Sequence, residues 1–257
     1  MCPWFDFFGE RLYTFPIVLS IAFSLCIAIY EKRKCYNKIY RIRFFKMVCI
    51  SSVFALFGGK ISSAFSLVSQ GKGDFWYCFL HSGNIFYGCM IFGTISFIIL
   101  SKAFQLNPLD VLDICASLLP LGQAIGRIGC FFNGCCYGIE YAGPFAVNYP
   151  INGGYKSIFP TWFCESIFCF ILFLFLQKIL PHMRRGTITS IYLLAYSVFR
   201  FFIEFLRGDA IRGKILFFST SQFLSLFVFV FGIFIFIFSI KNRYYNNMIL
   251  ESDKIER

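Results

Sequence analysis

Apolar positions run through this chain in long blocks, separated at intervals by short polar segments. A bilayer-spanning helix needs about 20 mostly apolar residues. On that measure the pattern predicts about seven transmembrane helices, at 14–30, 46–69, 84–101, 109–125, 161–180, 187–206 and 219–240. The fourth is the least regular, with Asp110 and Asp113 at its start and Gly122 and Gly126 at its end. Lys60 and the pair Gly58-Gly59 interrupt the second. Interruptions of this kind survive in a bilayer where a helix faces a cavity or another helix. The expected fold class is an all-α integral membrane protein, a single polytopic domain over residues 1–257 with a short polar tail at about 242–257. No fixed-period repeat or low-complexity linker divides it, and Phe-rich runs such as 227–238 read as lipid-facing helix surface.

Basic residues set the expected orientation. The loop at 31–46 carries Lys32, Arg33, Lys34, Lys38, Arg41, Arg43 and Lys46. Short loops rich in Lys and Arg stay on the cytoplasmic side. This places the N-terminus outside and, with seven spans, the C-terminus in the cytoplasm. Lys102, Arg184, Arg185 and the basic tail then also lie inside. The first apolar run lacks the basic n-region and cleavage site of a secretory signal, so it is expected to remain as a membrane helix.

Composition supports this picture. Hydrophobic residues make up 58% and charged residues 14%, where a soluble domain is about one quarter charged. Together with a mean hydropathy of +0.70, this excludes a disordered chain and a small secreted scaffold. The formal charge of +11 would ordinarily suggest a nucleic-acid partner. Here the basic residues fall mostly between apolar runs, so the expected partner is the lipid bilayer and no nucleic acid.

Polar groups inside the apolar blocks mark candidate chemistry, because a charge within a span costs about 2.5–3.5 kcal/mol on insertion scales and usually faces a cavity and a partner. Arg200, Glu204 and Arg207 are spaced to share one helical stripe, with Arg200 and Glu204 an i,i+4 pair. They form either a structural ion pair or a polar wall that binds an anion. Asp209, Arg212 and Lys214 follow directly. The segment 120–138 is interrupted by Gly122, Gly126, Gly129, Gly134 and Gly138, which suits an irregular backbone close to a ligand. It also carries Arg127 and Asn133, a guanidinium fork and an amide suited to a phosphate. His81, Asn84 and Tyr87 open the third predicted span. Thr161 and Glu165 share a face at the start of the fifth.

Most of the twelve Cys lie in apolar stretches, where a free thiol behaves as a small hydrophobe. Cys130, Cys135 and Cys136 form a separate cluster. Zinc sites usually pair Cys at spacings of two to four with further ligands elsewhere, and no second pair is near. The expectation is a packed thiol cluster beside the Gly backbone, with a disulfide as the alternative and no metal.

These segments, in this order, resemble the prolipoprotein diacylglyceryl transferase family from about Gly58 to Ser225. The likeness is most specific at Gly126-Arg127-Ile128-Gly129 with Phe131 and Asn133-Gly134. Phe199-Arg200 through Glu204 to Arg207 is similar to the family's late Arg/Glu helix. Pro160-Thr161 with Glu165 is similar to its His-Pro-[Ser/Thr]-Gln-Leu-Tyr-Glu motif, and Ser221-Gln222 to its Gly-Gln. The resemblance implies a single membrane domain of that type, in the bacterial inner membrane with its site towards the outer leaflet. It implies an enzyme that moves the diacylglyceryl group from phosphatidylglycerol to the lipobox cysteine thiol of a prolipoprotein signal peptide. Glycerol phosphate leaves, and no metal or soluble cofactor takes part. Arg127 and Arg200 would meet the charge developing on phosphate, with Arg207 in support and Glu204 orienting Arg200. Asn133, Gly134 and Glu165 complete the substrate-binding set.

The sequence departs from the family at defined positions. Tyr87-Gly88-Cys89-Met90 stands where the family has His-Gly-Gly-Leu, so Tyr87 takes the place of a proposed base as a hydrogen-bond donor. Cys130 and Cys135 replace an Asn and a Glu, and Phe159 replaces a His. Two other classes therefore stay open: a lipid-phosphate transferase of the same fold with another acceptor, such as a surface glycan, and a non-catalytic lipid-binding protein.

Overall fold

The computed structural model describes residues 4–7, 10–33, 38–69, 71, 73–81, 86–151, 154–208, 214–215 and 218–240. Eight α-helices are present among them: α1 (Thr14–Glu31), α2 (Lys38–Ser69), α3 (Phe75–His81), α4 (Phe86–Ala103), α5 (Pro108–Asn133), α6 (Thr161–Ile179), α7 (Thr187–Ile203) and α8 (Thr220–Ile240). Three antiparallel hairpins accompany them: β1 (Trp4–Phe7) with β2 (Glu10–Tyr13), β3 (Val147–Ile151) with β4 (Gly154–Ile158), and β5 (Lys214–Ile215) with β6 (Phe218–Ser219).

Among the described residues, α1, α2, α5, α6, α7 and α8 are long and apolar enough to cross a membrane; α7 reaches that length with the short 3-10 turn that follows it. The all-α membrane class is borne out. The remaining predicted span, 84–101, coincides with α4, whose apolar stretch Ile91–Ala103 is shorter. The polar tail expected at 242–257, and Asn84, Asp209 and Arg212, lie outside the described residues.

The chain divides into two compact units, Lys34–Val111 and a larger one formed by Met1–Arg33 with Leu112–Arg257. In the smaller unit α2 lies along α4. The ring of Phe92 covers Gly58, and Ser62 covers Gly88, the close contact that small residues permit between membrane helices. The interruptions at Gly58-Gly59 and Lys60 thus serve helix contact: α2 runs through them, and Lys60 Nζ donates to the carbonyl of Leu80 on α3 at 3.2 Å.

In the larger unit α7 packs on α6 and α8. At one end, Arg33 donates to Ser117 and Gln177, each at 2.8 Å. There Asp113 also caps the start of α7: its carboxylate accepts from the backbone N–H groups of Gly186 (2.6 Å) and Thr189 (2.8 Å) and from the Thr189 hydroxyl (2.6 Å). The first N–H groups of a helix lack intrahelical partners and favour negative charge. A buried Asp on a neighbouring helix is therefore stable there, although it opens a weak-looking span in sequence.

Three layers of backbone meet at the opposite end of α5. Ile139 N–H donates to Leu206 O, Gly208 N–H to Tyr137 O and Phe159 N–H to Ile139 O, each at 3.0 Å. Gly138 sits between the carbonyls of Phe159 and Leu206, where any side chain would collide with backbone. This ribbon fixes the chain on both sides of Arg207.

Candidate active site

Glu165, one turn into α6, is fully buried. Its carboxylate pairs with Arg127 Nε of α5 at 2.5 Å, Arg200 Nη1 of α7 at 2.8 Å and Arg207 Nη1 at 3.5 Å. Glu204 forms the second carboxylate of the group, 2.7 Å from Arg200 Nη2 and 4.0 Å from Arg207 Nε. Among the described residues, three guanidinium groups thus surround two carboxylates, one positive charge more than negative. Charge-assisted pairs of this kind are strong and directional. Side-chain exposure is 18% for Arg127 against 2% for Arg207, so Arg127 is the guanidinium most open to a ligand.

Local sequence explains the assembly. Phe168 and Phe199 stack at 3.9 Å with their planes 4° apart, which locks α6 to α7 one turn from Glu165 and beside Arg200. The expected helical stripe holds as far as Glu204. There α7 gives way to a 3-10 turn at Glu204–Leu206 and an extended Arg207, and this tighter path returns Arg207 to the cluster.

At the start of α8, Ser219, the last residue of β6, and Gln222 form a reciprocal cap: Gln222 N–H donates to Ser219 Oγ at 3.2 Å, and Ser219 N–H donates to Gln222 Oε1 at 3.0 Å. The Ser219 hydroxyl donates to Glu204 Oε1 at 3.0 Å, and Arg200 Nη2 donates to Ser221 Oγ at 3.4 Å. The start of α8 is thereby tied to the charge cluster. Ser219 and Tyr196, the latter within electrostatic reach of Arg127, Glu165 and Arg200, are site residues that sequence reasoning missed. The Ser219-x-x-Gln222 spacing was a readable signal for the cap.

The expectation of an irregular backbone over 120–138 is corrected. α5 continues through Gly122, Gly126 and Gly129 to Asn133, and Gly129 admits Phe15 and Val18 of α1 against the helix. Only from Gly134, with φ +78°, does the chain leave helical geometry. Gly134 N–H donates to Phe131 O (3.5 Å) and Cys135 N–H to Cys130 O (3.2 Å). This pair of bonds is a Schellman cap, which brings the side chains at its two ends together.

Those side chains are Cys130 and Cys135. Cys136 follows in a left-handed conformation, φ +62°, and the three sulfur atoms lie within 4.8 Å of one another, each thiol half-buried. All three are free thiols in the structure. Trp162 Nε1 donates to Cys135 O at 3.0 Å, Thr161 Oγ1 to Cys136 O at 2.8 Å and Tyr149 OH to Phe131 O at 2.7 Å. Tyr149, Ile158 and Trp162 form a small core against Cys130, Phe131, Cys136 and Tyr137. Hydrogen bonds from the Cys130 and Cys135 thiols, helped by Arg207 and Arg127, hold the Cys136 thiol below its usual range despite burial. Burial pushes the Tyr149 phenol up.

The structure therefore gathers Arg127, Arg200, Arg207, Glu165 and Glu204. Asn133 stands apart from them, exposed, with its amide 4.0 Å from Cys135 Sγ. Gly134 contributes through the helix cap. Tyr87 lies on α4, with its side chain outside the described residues, as is that of Lys214 on β5. His81 ends α3, exposed and stacked on Tyr77 at 4.4 Å.

Comparison with known proteins gives one consistent result. The family model described as prolipoprotein diacylglyceryl transferase matches residues 5–238. The chain is 32% identical over 242 residues to a phosphatidylglycerol–prolipoprotein diacylglyceryl transferase of Clostridium tetani, covering 90% of this chain and 95% of the relative. A second relative, numbered 2 under the same name in Clostridium perfringens, is 30% identical over 234 residues, covering 89% and 91%. A third, from Clostridium novyi, is 31% identical over 252 residues, covering 93% and 96%.

Proposed function

Since the chain belongs to the prolipoprotein diacylglyceryl transferase family, we propose that it transfers the diacylglyceryl group of phosphatidylglycerol to the lipobox cysteine of prolipoproteins. The observation that carries this reading is the convergence of Arg127, Arg200 and Arg207 on the buried Glu165. A phosphate diester can meet the excess positive charge of that group at its most open member. As the thiol sulfur attacks the glycerol carbon, the carbon–oxygen bond breaks and negative charge grows on the phosphate that leaves as glycerol phosphate. Preorganised guanidinium groups stabilise that charge without reorganising during the reaction. Glu165 and Glu204 hold them in place, and Arg127 and Arg200 are the groups that touch phosphate.

The remaining roles follow the family likeness. Asn133 and Gly134 are assigned to substrate binding, and Tyr87, at the family's His position, to donating a hydrogen bond to substrate. The whole chain works as one polytopic domain of the bacterial inner membrane, N-terminus outside and C-terminus cytoplasmic, with the charge cluster towards the outer leaflet.

The test is complementation. In a bacterium depleted of its own transferase, this chain should restore lipid labelling of lipoproteins, and its Arg127→Ala variant should not. Failure of the unmutated, membrane-inserted chain to restore labelling would remove this reading.

A further inference from the structure

The three-thiol cluster answers a chemical need of the proposed reaction. An acceptor thiol of ordinary pKa near 8.5 is a nucleophile only as thiolate, and here Tyr87 stands where the family has a His. A tyrosine of ordinary pKa near 10 is a poor base at neutral pH. The two replacements inside the most specific family motif, Cys130 and Cys135, are two of the three clustered thiols. A third, Cys136, joins them through a left-handed backbone that few non-glycine residues adopt.

The geometry suits a metal. A tetrahedral zinc with Zn–S bonds of ~2.3 Å places its sulfurs about 3.8 Å apart, and the three sulfurs here already lie within 4.8 Å of one another. Supporting groups are in place as well. The Schellman cap sets Cys130 against Cys135, Trp162 and Thr161 hold the carbonyls of Cys135 and Cys136, and the Asn133 amide points a donor at the Cys135 sulfur. Outer hydrogen bonds of this kind orient metal ligands. Arg127 and Arg207 lie within electrostatic reach of Cys136, so the net negative charge of a zinc with three thiolates has a counter-charge. Catalytic zinc sites keep three protein ligands and one open position.

We propose that Cys130, Cys135 and Cys136 bind a zinc ion whose fourth position takes the acceptor cysteine as a thiolate. The inference rests on the transferase reading and revises the expectation of a metal-free site. The acceptor thiol gives up its proton to solvent on binding. Its sulfur lone pair then forms the carbon–sulfur bond to the glycerol carbon while the carbon–oxygen bond breaks, and that electron pair leaves on the phosphate oxygen of glycerol phosphate. No oxidation or reduction occurs. The arginine cluster and the zinc thus divide the work, one stabilising the leaving group and the other the nucleophile.

The experiment uses the full chain purified in detergent, loaded with zinc or with cobalt(II) as a spectroscopic probe. The expected results are about one zinc per chain, a sulfur-to-cobalt charge-transfer band, and at least tenfold weaker metal binding in Cys130→Ser, Cys135→Ser and Cys136→Ser. Zinc should also protect these three thiols of the unmutated protein from alkylation, a readout independent of how the variants fold. A lipobox peptide with its cysteine should shift the cobalt spectrum, and the same peptide with serine should not. No metal binding, or binding undiminished when all three Cys are replaced, overturns the site. An unchanged spectrum with the cysteine peptide overturns the role of the fourth position. Full-rate transfer by metal-free protein overturns this inference and leaves the transferase reading standing. Metal and peptide-thiol binding without transfer leaves the site standing and removes the reading on which its catalytic use rests.

Discussion

Glu165 is the residue on which the charge cluster depends, since one buried carboxylate holds guanidinium groups from α5, α7 and the turn beyond it. Removing one partner of a buried ion pair costs about 3–5 kcal/mol. Glu165→Gln, which keeps the volume but not the charge, should lower the melting temperature in detergent and transfer activity together. Arg127→Ala acts differently, because Arg127 is the most exposed member of the cluster. It should slow glycerol phosphate release by about 10²–10³-fold, the loss typical of one donor to a developing anion, with a smaller change in melting temperature. A near-normal rate for Arg127→Ala removes Arg127 from phosphate. At this scale the sequence was partly legible. The Arg200/Glu204 pair is an i,i+4 spacing and can be read directly. The position of Glu165 as the centre cannot, because it lies 35 residues from Arg200 and meets it only through the packing of α6 on α7.

At the scale of elements, helix ends do much of the positioning. Gly134→Ala would force a Cβ into φ +78°, a conformation that costs an L-residue about 1–2 kcal/mol. It should destabilise the end of α5 and slow transfer, measurable as a melting shift beside the rate. Asp113→Ala should destabilise the protein by at least about 1–2 kcal/mol, as the loss of a helix cap does. It should leave the affinity for phosphatidylglycerol unchanged, because Asp113 lies at the opposite end of α5 from Arg127. Weakened lipid binding with an unshifted melting curve would contradict that division. The glycines of α5 show where a sequence pattern misleads. Their number suggests a broken backbone, yet Gly129 is a packing surface for α1 and only Gly134 ends the helix. A glycine that admits a neighbouring helix and one that adopts positive φ look the same in one dimension. The two Asp at the start of α5 mislead similarly, since the partner of Asp113 is a helix end 73 residues away.

For the molecule as a whole, hydrophobic blocks alone were enough to find the long helices, because the length a bilayer demands makes them stand out, but α2 begins eight residues before its predicted span and α5 runs eight residues past its own, through polar and glycine positions that an apolar pattern excludes. The ribbon about Gly138 was not legible, since its pairing joins Tyr137 and Ile139 to Phe159, Leu206 and Gly208 across long intervals of chain; the hairpins are local pairings that a reading for apolar blocks passes over. The proposed orientation rests on the basic residues of 31–46, of which Lys38, Arg41, Arg43 and Lys46 lie on the first turns of α2. A reporter active only outside the membrane should therefore work when fused before residue 14 and fail when fused after Arg257; the opposite pattern would invert the proposed topology. Diacylglyceryl transfer at the arginine cluster is tested by an assay with purified protein, phosphatidylglycerol and a synthetic lipobox peptide, with Arg127→Ala alongside. The expected result is glycerol phosphate release matched by a peptide mass gain equal to one diacylglyceryl group, both lost in the variant. Folded, lipid-bound protein that yields neither product, or a variant as active as the unmutated chain, would contradict it.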